Sequence, residues 1–175
     1  MSKKDNKSKL KIFFLKNPTR RLRVREIERT TGIPLPSVIR YTKELCKEDI
    51  LEEENISNIV IYKGRLRSER YKLEKKLHNI RKITESGLIQ HIKFEYNNPT
   101  IILFGSYAKG EDIENSDIDI YIETTKKVIL LEKFEKKLEH KLQLFVHKNI
   151  KEIKNKELAN NIINGITLNG FLEIL

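Results

Sequence analysis

Hydrophobic and polar positions alternate most clearly between Ser116 and Glu123. The residues of one face are Asp117, Asp119 and Tyr121, and those of the other are Ile118, Ile120 and Ile122. A period of two is typical of a β-strand with one buried face, so both carboxylates are expected side by side. The apolar run 101–104 precedes them and stops at Gly105, which predicts a buried strand that ends in a sharp turn facing the carboxylates.

The first third of the chain shows three helical patterns followed by two strand patterns. The helices are predicted at 9–16, 20–29 and 35–48, and the strands at 50–55 and 58–63. Asn17-Pro18 ends the first helix, and Gly32 suits the left-handed residue of the turn between the second and third. Residues 1–64 therefore resemble the winged helix-turn-helix domains of bacterial and archaeal regulators.

The remaining patterns predict a mixture of helices and strands. A connecting helix is predicted within 65–85, where apolar residues recur at helical spacing; it either packs on both domains or supports a homodimer. Further elements are predicted as helices at 86–96, 128–139 and 157–164, and as strands at 141–147 and near Phe171.

The carboxylate pair and the glycine turn together suit a divalent cation that carries phosphates. Magnesium prefers one or two carboxylates, with water and phosphate oxygens completing its shell. Gly105 lets the backbone approach a phosphate, and Ser106 can donate a hydroxyl hydrogen bond. A helix that begins there would favour an anion and would carry Lys109 and Gly110 on its first turn, with Lys109 as a point charge for phosphate. Taken alone, an Asp-x-Asp pair fits a solvated outer face equally well.

The combination resembles the nucleotidyltransferase superfamily with the polymerase-β-like fold, in its minimal prokaryotic form. The matching segments are Phe104-Gly105-Ser106, Ala108-Lys109-Gly110, Ser116-Asp117-Ile118-Asp119-Ile120 and the small-residue stretch 164–170. The resemblance covers 86–175 and implies an α+β fold in which a small mixed sheet follows the winged helix-turn-helix domain. It also implies that Gly105, Ser106, Lys109 and Gly110 bind a nucleoside triphosphate. Asp117 and Asp119 would hold Mg²⁺ or Mn²⁺ while a nucleotidyl group is transferred and pyrophosphate leaves.

The chain departs from this family at the third carboxylate, which assists the attacking hydroxyl. The alternation of 141–147 places Gln143 where the family usually carries Asp. Gln accepts no proton at neutral pH, so the general base and a second metal are both in doubt. Glu139, Glu123 and His147 are alternatives that the sequence does not distinguish.

Charge divides the chain in two. Residues 1–83 carry 23 Lys and Arg against 11 Asp and Glu, whereas residues 84–175 carry 12 against 14. This asymmetry predicts a polyanion partner for the N-terminal part, with DNA the expected one. The nominated DNA contacts are Ser37, Arg40, Tyr41, Lys43 and Lys47 on the third helix, and Arg20, Arg21 and Lys63 around it. Protein interaction is the alternative use of such a domain.

Composition limits the cellular setting. The chain holds one cysteine and contains no run of eighteen apolar residues. We therefore expect no internal disulfide, no membrane span and a reducing cytoplasm.

These observations leave three functional hypotheses. The first is a metal-dependent enzyme that moves a nucleoside monophosphate to a hydroxyl on protein, nucleic acid or a small molecule. The second is a DNA-binding transcriptional regulator whose catalytically impaired domain senses nucleotide or binds a partner protein. The third places the C-terminal domain in a toxin–antitoxin pair, and we rank it last because a fused winged helix is not typical of those proteins.

Overall fold

The computed structural model describes residues 3–125 and 129–173. It divides into two compact units, Met1–His78 and Asn79–Leu175. Each unit has its own hydrophobic core. The division falls inside the helix that covers Glu69–Ser86, within the segment predicted to connect the domains.

The first unit begins with three helices. They are α1 (Lys3–Lys16), α2 (Val24–Thr31) and α3 (Leu35–Lys47). The helix α2 begins later than predicted because Leu22 is extended: its N–H and carbonyl pair with the Tyr62 carbonyl and N–H at 3.0 and 2.8 Å. Gly32 ends α2 at φ +67°, and its N–H donates to the Glu28 carbonyl, as the sequence predicts.

A β-hairpin follows the three helices. Its strands are β1 (Leu51–Ile56) and β2 (Ile59–Gly64), and Ile56 pairs with Ile59 across the turn. The two turn residues, Ser57 and Asn58, both have positive φ, which matches the twist that a two-residue hairpin requires. The order helix, helix, helix, hairpin agrees with the sequence pattern, and its assignment as a winged helix stays a prediction.

The core of the first unit contains residues from every one of these elements. They include Leu10, Phe14, Ile27, Val38, Leu45, Leu51 and Tyr62. Cys46 packs against this core as a free thiol, and burial raises its pKa to about 11, so the thiol stays protonated at neutral pH.

The next helix, α4 (Glu69–Ser86), buries only some of the apolar residues that predict it. The buried face consists of Tyr71, Lys75, Asn79 and Ile83, at four-residue spacing, whereas the apolar Leu73 and Leu77 are about half exposed. Tertiary hydrogen bonds explain the polar members of that face. In the first unit, the Tyr71 hydroxyl donates to the Phe14 carbonyl at 3.0 Å and the Lys75 ammonium to the Leu15 carbonyl at 2.6 Å.

The second unit is built on a four-stranded mixed sheet. Helix α5 (Leu88–Glu95) leads into β3 (Thr100–Phe104), then α6 (Gly105–Lys109), β4 (Ile118–Glu123), α7 (Glu132–Leu138) and β5 (Leu142–His147). A 3₁₀ turn (Ile150–Glu152), α8 (Lys156–Ile163) and β6 (Ile166–Asn169) follow. The strand order is β5-β4-β3-β6, with β4 and β5 parallel and the other pairs antiparallel. The predicted α+β class with a small mixed sheet is confirmed for this unit.

Both faces of this sheet are covered. The isoleucines of β4 enter a core with α5 and α7, as the alternation predicts. Tyr121, which shares the other face with Asp119, is fully buried in a second cluster with Ile102, Phe104, Ile150 and Ile162. The carboxylate face is therefore apolar further along the strand, and only its first part is left for polar chemistry.

Two predicted boundaries differ from the structure. The last strand ends at Asn169, before Phe171, because Gly170 turns the chain at φ +70° and the Phe171 carbonyl then accepts a hydrogen bond from the Thr100 hydroxyl. The predicted helix at 128–139 corresponds to α7, and residue 128 lies outside the described residues. Within 3–125 and 129–173, no helix combines the length and apolar character needed to cross a membrane.

Candidate active site

The bend after β3 depends on a glycine for two reasons. Gly105 has φ +71°, a conformation that residues with a Cβ rarely adopt. A Cβ built at this position would overlap Asp119 Oδ2 and lie 3.2 Å from Asp119 Cγ. The Asp119 carboxylate therefore rests directly against the bend, which is the approach that the sequence pattern predicts.

Strand pairing fixes the position of Asp119. In the sheet it lies between Phe104 on β3 and Gln143 on β5. Asp117 immediately precedes β4 and is exposed, whereas Asp119 is partly buried. The pKa of Asp119 is raised, first by burial and then by the negative charge of Asp117. The pair thus accumulates negative charge that a bound cation would neutralise.

The other predicted phosphate-binding residues lie along α6, which begins at the bend. Ser106 is partly buried, and Lys109 is exposed at the last position of the helix. Gly110 does not lie on the first turn as predicted: it ends this five-residue helix at φ +72°, where its N–H donates to the Ser106 carbonyl. A left-handed residue at this point explains the glycine without reference to a ligand.

The predicted register of Gln143 is confirmed, because Gln143 pairs with Asp119 in the parallel β4–β5 ladder and is exposed beside it. Glu123 and His147 pair at the opposite end of the same strands, roughly 13 Å away along the sheet. Glu123 Oε1 there accepts from the Ile150 N–H at 3.1 Å. Neither residue can replace a carboxylate at position 143.

Glu139, the remaining alternative, follows α7 and lies 3.2 Å from the Lys82 ammonium in an ion pair. Among the described residues, no group of three or more His, Cys, Asp and Glu side chains could hold a metal ion. The Asp pair could supply two carboxylate ligands, so water and phosphate oxygens would have to complete the shell of a magnesium ion.

The predicted DNA contacts on α3 divide into exposed and buried residues. Arg40, Lys43 and Lys47 are exposed, and Ser37 is partly exposed. The prediction for Tyr41 does not fit its position, because its side chain is 4 % exposed and belongs to the core. Arg40 covers it: the guanidinium lies 4.4 Å from the ring centroid and donates to the hydroxyl at 2.5 Å.

The predicted DNA contacts around α3 differ in whether nearby carboxylates neutralise their charge. Arg20 and Arg21 are exposed, and Arg21 lies 3.6 Å from Glu54. Lys63 pairs with Glu54 and, at 3.0 Å, with Glu52, and these carboxylates raise its pKa. Its charge is therefore compensated locally, so the structure argues against Lys63 as a phosphate contact.

Comparison with known proteins gives two similarities. Residues 85–168 match the family model described as "Nucleotidyltransferase domain". A protein of Methanocaldococcus jannaschii, named "Putative protein adenylyltransferase", is 40 % identical over 67 residues, which cover 34 % of this chain and 67 % of the relative. No solved structure gives a significant match.

Removing the charge of Asp119 should stabilise the metal-free protein. A carboxyl group whose pKa is raised by folding costs stability as the pH increases from its ordinary pKa of about 3.9 through the raised value. We expect Asp119→Asn to raise the melting temperature at pH 7, by about 2–4 °C for each kcal/mol of stability gained, and to change it little below pH 3.9. Thermal unfolding in the presence of a chelator measures this.

The matched control is Asp117→Asn, which removes the same charge from an exposed position. It should raise the melting temperature by less. A lower melting temperature for Asp119→Asn at pH 7 would contradict the view that the ionised Asp119 carboxylate destabilises the metal-free protein.

Proposed function

Because this chain belongs to the nucleotidyltransferase family, we propose that it is a metal-dependent enzyme that transfers a nucleoside monophosphate from a nucleoside triphosphate to a hydroxyl acceptor. One observation supports this most: the Asp119 carboxylate lies against a glycine bend that leaves no room for a Cβ. The bend and the carboxylate can thus contact the same small ligand.

Asp117 and Asp119 would hold Mg²⁺ or Mn²⁺, which neutralises phosphate charge and activates the α-phosphorus towards attack when bound. The backbone at Gly105 and the Ser106 hydroxyl would contact the phosphates. Lys109, exposed at the end of α6, would supply a positive charge to them, and Gly110 would contribute only by ending that helix. Catalysis by such a site consists mainly of positioning and charge neutralisation.

The relative from Methanocaldococcus jannaschii suggests the substrates. Its name describes transfer of an adenylyl group to protein. We extend this to the present chain as a proposal: the nucleotide is ATP and the acceptor is a hydroxyl group of a protein.

A second function is favoured by Gln143. Gln143 pairs with Asp119 in the sheet, and its amide cannot accept a proton from an attacking hydroxyl. In this alternative, the domain binds nucleotide or a partner protein without turnover, and the chain acts as a DNA-binding regulator. Tight nucleotide binding in calorimetry without measurable pyrophosphate release would select it.

We further propose that the first unit is a winged helix that binds DNA. The exposed Arg40, Lys43 and Lys47 on α3 support this, together with the excess of basic residues in the N-terminal part of the chain. Because the exposed candidates on α3 are mainly Arg and Lys, phosphate contacts would dominate over base readout.

The homodimer and the cellular location are also proposals. The half-exposed Leu73 and Leu77, one turn apart on α4, offer apolar surface for a second copy of the chain. A cytoplasmic location agrees with the free Cys46 thiol.

Loss of the Asp117 carboxylate should strongly reduce nucleotidyl transfer. With radiolabelled nucleotides, Mg²⁺ and candidate acceptor proteins, we expect Asp117→Ala to lower label transfer by at least about a hundredfold, because a metal ligand is lost. Glu114→Ala, which removes a carboxylate from the loop before it, should retain activity. The absence of labelled product from any of the four nucleotides with the wild-type protein would refute the enzymatic proposal.

A carboxylate at position 143 should accelerate a slow enzyme. General bases typically contribute about 10²–10⁴-fold, so we expect Gln143→Asp to raise the rate of nucleotidyl transfer by at least about tenfold. Gln143→Asn serves as the control, because it shortens the side chain equally without adding a base. Equal rates for the two variants would show that position 143 does not limit catalysis.

DNA binding should depend steeply on salt. If Arg40 and Lys43 each contact one phosphate, the double variant Arg40→Ala, Lys43→Ala should reduce the slope of log affinity against log salt by about 1.8. Fluorescence anisotropy with duplex DNA at several salt concentrations measures this. Lys133→Ala, which removes an exposed charge from the second unit, should leave the slope unchanged, and an unchanged slope for the double variant would exclude this face.

A further inference from the structure

A buried amide lies behind the candidate site. Asn79 on α4 is 1 % exposed, within the second unit. Its Nδ2 donates to the Tyr107 carbonyl at 2.9 Å and to Asp112 Oδ1 at 2.7 Å. A side-chain amide has two N–H groups, so both are used, and both acceptors belong to the segment that joins the glycine bend to the Asp pair.

The first bond holds α6. The helix has only five residues, so the carbonyls near its end have no partner inside it and its position depends on tertiary contacts. The Ser106 carbonyl is used by the N–H groups of Gly110 and Glu111. The next carbonyl, that of Tyr107, receives the Asn79 amide, which therefore fixes the helix that begins at the bend.

The second bond holds the loop that follows. Asp112 is 2 % exposed, and a buried carboxylate is costly unless hydrogen bonds stabilise it. Immediately after it, the Ile113 N–H donates to the Ser116 hydroxyl and the Ser116 N–H donates to the Ile113 carbonyl, both at 3.0 Å. This closed turn leads directly to Asp117.

We propose that Asn79 is a positioning residue for nucleotide and metal binding. It touches neither ligand. Through its two bonds it holds the glycine bend on one side and the start of the carboxylate strand on the other, so that both face the same phosphate chain. This inference rests on the proposed function, because it assumes that these two elements bind one ligand together.

The test compares nucleotide affinity with stability. Asn79→Leu removes both hydrogen bonds but leaves the buried Asp112 with fewer partners, so it is expected to lower the melting temperature as well. The informative variant is therefore the double substitution Asn79→Leu, Asp112→Leu, which removes the buried carboxylate together with its donor, so that only the Tyr107 carbonyl loses the Asn79 amide, and which should fold. Calorimetry with Mg²⁺ and ATP is expected to show at least about tenfold weaker binding for both variants, the range found for residues that orient metal ligands.

The control is Ser86→Ala at the end of the same helix. Ser86 is also buried: its hydroxyl donates to the Ile83 carbonyl and accepts from the Leu88 N–H, and it lies at the end of α4, seven residues after Asn79. It should lower the melting temperature without changing the ATP dissociation constant by more than about twofold, an allowance for indirect effects.

The outcomes separate the two proposals. If the wild-type protein binds ATP and the folded double variant binds it equally well, the role of Asn79 is overturned and the proposed function stands. An equal loss of affinity in Ser86→Ala would also overturn it, because general destabilisation would then explain the effect. If the wild-type protein binds no nucleotide, the proposed function fails and this inference fails with it.

Discussion

The contact between the Asp119 carboxylate and the backbone of Gly105 is the constraint on which the site depends. Antiparallel pairing places Asp119 opposite Phe104, at the point where β3 ends. A side chain at the next position would collide with the carboxylate, and the positive φ of the bend would strain it as well. A single glycine thus allows the strand to end, the chain to turn and a carboxylate to approach the turn, which are the conditions for binding a cation and a phosphate at one place.

The rest of the second unit supports that contact from two sides. The isoleucines of β4 pack into one core, and Tyr121 packs into another. A shift of one residue in the register that places Asp119 at the bend would therefore exchange the side chains of the two faces. The Asn79 amide donates hydrogen bonds to the Tyr107 carbonyl on α6 and to Asp112 in the loop before Asp117. Burial and then the negative charge of Asp117 raise the pKa of Asp119, and Gln143, which pairs with Asp119, carries no charge.

In the first unit, packing reduces the set of residues that are free to bind DNA. The positive charge of this part of the chain is real, but Lys63 is held by two carboxylates of the neighbouring strand and Arg21 lies close to one of them. Arg40 lies over the Tyr41 ring and 3.7 Å from Glu44, and the residue remains exposed. The number of basic residues therefore overestimates the positive charge that the hairpin can offer to DNA. The main candidate surface for DNA binding is α3.

The sequence by itself determined the elements whose pattern is local. The alternation of β4, the glycine bend, the Asp pair and the position of Gln143 follow from spacing along one strand or its neighbour, since side chains two residues apart must share a face. Only the tertiary structure decided which polar residues are buried and which charges are paired. Tyr41, Tyr121 and Asn79 lie in cores, and Lys63 lies between two carboxylates, because partners distant in the chain were brought against them. No pattern within one element encodes those partners, since burial is set by the elements that pack together.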